Sequence, residues 1–135
     1  MSASLVSSIA IAALVVSAAC FGGNAFAQTP PPWVAPEAEK VKKNPLPSDK
    51  KFVEQGSKLA QVNCVACHGA KGKGDGAAAV ALNPKPADWT SKRVQDESDG
   101  ELFWKISNGR GAMPPWKHLP EQDRWALIRY IRSLK

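Results

Sequence analysis

The stretch Cys64-Val65-Ala66-Cys67-His68 decides how the rest of this 135-residue chain is read. The chain has three cysteines, and two of them stand in this one pentapeptide. The third, Cys20, lies in an apolar N-terminal leader and is expected to be discarded with it. That leaves no second cysteine pair for a zinc ribbon and no disulfide framework for a small secreted domain. A redox-active Cys-x-x-Cys belongs beside a βαβ pattern, and no strand alternation occurs anywhere in the sequence. Cys-x-x-Cys-His is instead the signature of covalent haem attachment. Two thiols add to the haem vinyl groups, and the adjacent histidine is held beneath the iron as proximal ligand. The spacing suits this chemistry, because one helical turn puts both sulfurs on one edge and directs the imidazole at the metal.

Upstream, residues 1–27 read as a secretory signal. An apolar run from Leu5 to Ala19 precedes Ala25-Phe26-Ala27, an A-x-A cleavage pattern ending before Gln28. The leader has no Lys or Arg before its apolar run, so an uncleaved anchor over Ala3 to Phe21 is the competing reading. Lipidation of Cys20 is a third, weakened by Ser17 where a bulky aliphatic residue is usual. Export to the periplasm is the expectation. No charged side chain precedes Glu37, so the whole net charge of +6 belongs to the remainder. A hydrophobic content of 44% and five tryptophans argue for a packed globule.

Residues 28–47 hold six of the eleven prolines and are expected to form an extended arm. The arm is either a spacer or a segment whose Trp33 packs on the globule or on a partner. Three main helices are expected over 48–135. The first starts at Ser48 as N-cap and runs towards Cys64, with Phe52, Gly56, Leu59, Ala60 and Asn63 on one face. The second begins at Ser98, forms a capping box with Glu101, buries Leu102, Phe103 and Ile106, and ends at Gly109. The third opens at Leu119-Pro120-Glu121, with proline in its first turn. Its apolar stripe is Trp125, Leu127, Ile128, Ile131 and Leu134, and Arg124, Arg129 and Arg132 are expected in water. The fold class is all-α, with long loops. So small a domain has little apolar surface of its own, and a flat apolar cofactor at its centre would supply what is missing.

A sixth iron ligand is found by elimination. Beyond the leader there is one methionine, Met113, and one further histidine, His118. Met113 sits in Gly109-Arg110-Gly111-Ala112-Met113-Pro114-Pro115-Trp116, off any apolar helix face, where glycines permit close approach and prolines stiffen the loop. His118 is the fallback, otherwise a surface residue. The run Gly69-Ala70-Lys71-Gly72-Lys73-Gly74-Asp75-Gly76 lacks the Gly-Lys-Ser/Thr ending and preceding strand of a phosphate loop, and that reading is rejected. Trp89 and Trp116 either line the haem, bond a propionate, or simply fill core.

Over residues 48–135 the chain resembles the class I c-type cytochromes, with Cys-x-x-Cys-His followed by a distal Met-Pro loop between helices. The resemblance implies a close crossing in which Gly56 on the first helix meets Tyr130 on the last, with Ala60 and Leu127 beside them. Ala60 stands where the family often has an aromatic, and Trp125 is a candidate to fill that volume. The glycine run from His68 to Gly76 and Leu82-Asn83-Pro84-Lys85-Pro86 resembles a bacterial subgroup found as subunits or partners of respiratory complexes. That likeness implies a backbone carbonyl near Pro84 that accepts a hydrogen bond from His68 and fixes its ring.

The expected cofactor is therefore a single haem c, held through Cys64 and Cys67, with His68 and Met113 on the iron. Two filled axial positions leave no open site for substrate, so electron carriage is expected rather than catalysis. The carrier would be a soluble shuttle or a cytochrome subunit of a respiratory oxidoreductase complex. Lys71, Lys73, Lys117 and Lys85 could form a basic ring that steers redox partners with acidic docking surfaces. Membrane association would come through a partner complex or an uncleaved leader, and nothing points to nucleic acid. The alternative is a peroxidase-like haem enzyme or a ligand sensor, which requires Met113 to leave the iron and His118 to act as acid or base.

Overall fold

A computed structural model of the chain describes residues 32–135. The leader over 1–27, with Cys20 and the Ala25–Ala27 cleavage pattern, and the first residues of the arm lie outside the described residues. Among the described residues six α-helices follow in order: α1 Glu37–Lys40, α2 Lys50–Asn63, α3 Val65–His68, α4 Lys92–Gln95, α5 Asp99–Asn108 and α6 Glu121–Ser133. A 3₁₀ turn covers Ala77–Ala81 between α3 and α4. Among the described residues the only extended pairing is one isolated antiparallel bridge between Arg110 and Met113. The all-α expectation holds, and the three expected main helices are α2, α5 and α6.

Their ends show which local signals act. Asp49, not Ser48, caps α2: its carboxylate accepts the Lys51 N–H at 3.0 Å, and an anionic cap also complements the helix dipole. Ser98 caps α5 as expected, its hydroxyl accepting the Glu101 N–H at 3.1 Å. The Glu101 carboxylate does not complete the box; it pairs with Lys105 at 3.0 Å, one turn along. Gly109, at φ +61°, ends α5 in a conformation that a side chain would strain. Pro120 stands at the N-cap of α6 rather than inside its first turn, a position where its missing N–H is equally harmless.

The apolar stripes of α2 and α6 meet at a crossing with almost no room. A Cβ built at Gly56 would run into the Ala126 carbonyl and lie 2.9 Å from Tyr130 Cβ. The expected Gly56–Tyr130 crossing is therefore present, with the Ala126 backbone as its tightest point. Ile128 is fully buried at the centre of the α6 face, and Trp125, Leu127 and Ile131 are buried around it. Trp125 stacks on Phe103 of α5, with centroids 4.0 Å apart and planes 16° from parallel. Stacking on a second element fixes where α5 lies against α6.

The arginines of α6 correct one expectation. None is fully wet. Arg124 donates from Nε to the Leu119 carbonyl at 3.2 Å, bonds the buried Ser107 hydroxyl, and lies 4.6 Å over the Phe103 ring. Arg129 donates to the Leu46 carbonyl at 2.9 Å. Arg132 reaches Asp99 Oδ1 at 2.8 Å and the Gln95 carbonyl at 2.9 Å. Long stems cover apolar surface while the guanidinium donors satisfy loop carbonyls that no helix pairs.

The arm is also more structured than its prolines suggest, since α1 forms one helical turn within it and packs against α5. Ala35 is buried, Ser98 Oγ donates to the Lys40 carbonyl at 2.7 Å, and Asn44 Nδ2 donates to the Trp125 carbonyl at 3.0 Å. Of the two readings of Trp33, packing on the globule applies: the Lys105 ammonium lies 5.7 Å from its ring centre.

Candidate functional site

α2 and α3 are nearly one helix, interrupted at Cys64, whose N–H still bonds the Ala60 carbonyl at 2.9 Å. The Cys64 carbonyl then accepts from Cys67 at 3.1 Å and from His68 at 2.9 Å. This single turn brings Cys64, Cys67 and His68 to one side of the chain, as the spacing predicts. Both thiols are free and half-buried. Burial pushes the Cys64 thiol up to about 11, with the neighbouring Cys67 adding to the effect. The glycine run then folds back over the end of α3. Gly74 donates to the His68 carbonyl at 2.8 Å and Gly76 to the Cys67 carbonyl at 3.1 Å. These glycines thus close the turn that carries the cysteines.

His68 is buried, at 8% exposure, and its Nδ1 lies 3.0 Å from the Ala87 carbonyl oxygen. A carbonyl can only accept, so Nδ1 carries the proton and Nε2 keeps its lone pair in the neutral ring. Burial holds the imidazole below its ordinary pKa, partly offset by the Ala87 bond, and so favours this neutral form. The acceptor expected near Pro84 is Ala87, just beyond Pro86. One face of the ring lies against Trp89, with centroids 4.4 Å apart and planes 21° from parallel. Trp89 in turn meets Tyr130 edge-on at 6.3 Å. Neither the Ala87 carbonyl nor the Trp89 stack has a signal in the local sequence pattern, since both reach His68 across a loop.

Met113 is half-buried and packs against the hydrophobic core that also contains Trp89. Its loop is braced by the paired bonds Arg110 N–H to Met113 O at 2.9 Å and Met113 N–H to Arg110 O at 3.1 Å. The Trp116 N–H ties the exit of the loop to the Ile106 carbonyl at 3.1 Å. His118 is exposed, its ring tilted against Trp116 at 5.4 Å. The structure thus draws Met113 onto the core and leaves His118 outside. Lys71, Lys73 and Lys117 are exposed and take part in no ion pair among the described residues. Lys85 is exposed as well, and its ammonium donates to the Ala79 carbonyl at 2.8 Å and the Val80 carbonyl at 3.1 Å.

Among the described residues, no three His, Cys, Asp or Glu side chains converge as a metal site. The donors available are two thiols on one turn, one oriented imidazole and one thioether in a braced loop. That set suits a haem, which brings four nitrogen ligands of its own and needs only vinyl attachment and axial donors. Among the described residues no helix is long and apolar enough to cross a membrane.

Residues 52–131 match the family model of cytochrome c oxidase, cbb3-type, subunit III. Among solved structures, the chain is similar to one from the reducing HAO-like protein complex of Kuenenia stuttgartiensis, at 28% identity and a TM-score of 0.59. That likeness covers 67% of this chain and 46% of the other, so the chain spans about half the length of its structural neighbour. No curated protein matches the chain.

Proposed function

The chain belongs to the c-type cytochromes of the cbb3-type subunit III family, and we propose that it is an exported one-electron carrier with a single covalent haem c. In this reading Cys64 and Cys67 hold the haem as thioethers. His68, through Nε2, and Met113, through its sulfur, would be the residues that ligate the iron. The observation that carries the reading is the 3.0 Å contact between His68 Nδ1 and the Ala87 carbonyl. It leaves Nε2 as the only lone-pair nitrogen on the turn that also carries both thiols. When bound, the haem supplies the Fe(III)/Fe(II) couple. The protein's part is to orient the imidazole, keep water from it by burial, and hold the thioether in a loop tied at both ends.

Such a carrier works as a soluble periplasmic shuttle or as the cytochrome subunit of a respiratory oxidoreductase complex. The likeness to a chain of a multi-protein complex supports the second form. Lys71, Lys73 and Lys117 are free to steer partners with acidic docking surfaces. Export is tested by the N-terminus of the protein recovered from the periplasm, expected at Gln28.

Purified ferric protein tests the electron-carrier reading directly. It should show the weak near-infrared methionine sulfur–iron band and bind cyanide slowly. No such band, with rapid cyanide binding, would instead point to an open coordination site and the chemistry of an enzyme or sensor.

A further inference from the structure

Trp89 does more in this structure than fill core. Its backbone is pinned at both polar groups: the N–H donates to the Gly72 carbonyl at 2.7 Å, and the carbonyl accepts from Gln95 Nε2 at 2.7 Å. Tyr130 meets it edge-on, which limits rotation of the indole. Gly72, at φ +70°, makes space for it, because a Cβ there would lie 2.7 Å from Trp89 Cε3. The residues on either side of it are tied together, with Asp88 Oδ1 accepting from the Thr90 N–H at 2.8 Å and the Thr90 hydroxyl at 2.7 Å. The Ala87 carbonyl and the Trp89 ring therefore reach His68 from one rigid segment.

The two contacts restrain different motions. A hydrogen bond from Nδ1 to Ala87 fixes the direction of one ring atom but lets the imidazole rock about the N···O line. A flat ring 4.4 Å away and 21° from parallel removes that freedom. An aliphatic side chain of similar bulk would fill the volume without offering a flat face. The imidazole plane matters to an iron ligand, because it sets the overlap between the ring π orbital and the metal d orbitals.

We propose that Trp89 is a positioning residue for His68, its stacked indole setting the plane in which the imidazole presents Nε2 to the iron. The proposal rests on the reading of His68 as an iron ligand. In ferric holoprotein, the haem methyl proton shifts and the EPR g values report the orientation of the ligand plane. Trp89→Leu should reorder the methyl resonances and move the g values. Trp89→Phe, which keeps a flat ring, should retain the wild-type order. A Trp89→Leu protein with unchanged methyl order and only a lower Tm would overturn the proposal and leave Trp89 as core filling.

Wild-type protein supplies a test that needs no variant. In ferrous holoprotein, the His68 ring protons should show nuclear Overhauser contacts to the Trp89 indole. His68 protons moved upfield by the haem ring current but without those contacts overturn this proposal alone. His68 protons carrying no haem ring-current shift overturn the ligand assignment, and this proposal with it.

Discussion

Gly56 and Tyr130 meet where α2 crosses α6, and a Cβ on Gly56 would stand 2.9 Å from Tyr130 Cβ and inside the Ala126 carbonyl. The obstacle is mainly backbone, so no rotamer change can relieve it. The two helices would have to part, and the apolar face around Ile128 with them. Gly56→Ala should therefore destabilise holoprotein by ~1–3 kcal/mol, despite the better helix propensity of alanine. For a domain of this size that is a fall of roughly 5–20 °C in Tm. An unchanged thermal transition would mean that the crossing is looser than it stands here.

Met113→Ala removes the proposed thioether without touching the attachment turn. The variant should keep its covalent haem, lose the near-infrared band and bind cyanide faster. Its reduction potential should drop by on the order of 0.1 V, since a thioether favours ferrous iron. Potentiometric titration checks this, and a potential equal to that of the wild type would remove Met113 from the iron.

The docking of α1 onto α5 depends on Gly100 and Ser98. A Cβ at Gly100 would collide with the Glu39 carbonyl and lie 2.9 Å from that of Lys42. Gly100→Ala should lift the segment from α5, raising tryptic cleavage at Lys42 and Lys43 and shifting Trp33 fluorescence. Ser98→Ala loses both the cap and the bond to the Lys40 carbonyl, for a cost of about 1–2 kcal/mol. Cleavage at the wild-type rate in Gly100→Ala would show that the segment is not held by this contact.

Thiol chemistry separates a preformed pocket from one that haem builds. Within the fold, burial pushes the Cys64 thiol up to about 11. The proton is held more tightly folded than unfolded, so raising the pH through the ordinary thiol range works against the folded apo chain. Haem is expected to supply much of the core, so the apo chain should be largely unfolded and Cys64 should alkylate with an ordinary pH profile. A profile displaced towards 11, with a cooperative thermal transition, would contradict this. Holoprotein, with both sulfurs bonded, should show neither dependence.

The sequence by itself determined whatever depends on neighbours along the chain. Cys64, Cys67 and His68 fall on one turn because their spacing matches a helix. Ser98 caps α5, Gly109 ends it, and the stripe of α6 faces the core because periodicity and capping act over a few residues. The same reasoning slipped by one position at α2, where Asp49 outcompetes Ser48 as the cap. Tertiary structure decided whatever depends on distant segments arriving together. Arg124, Arg129 and Arg132 read as a wet face, yet they bond the Ser107 hydroxyl and the carbonyls of Leu46 and Gln95. A proline-rich arm read as extended contains a helical turn seated on Gly100. At the attachment turn, the pentapeptide names the histidine, but only the loop through Ala87 and Trp89 says which nitrogen is free and how the ring is held. A hydrogen bond and a stacking contact across a loop leave no periodic trace in sequence. They exist because the chain has already folded around them.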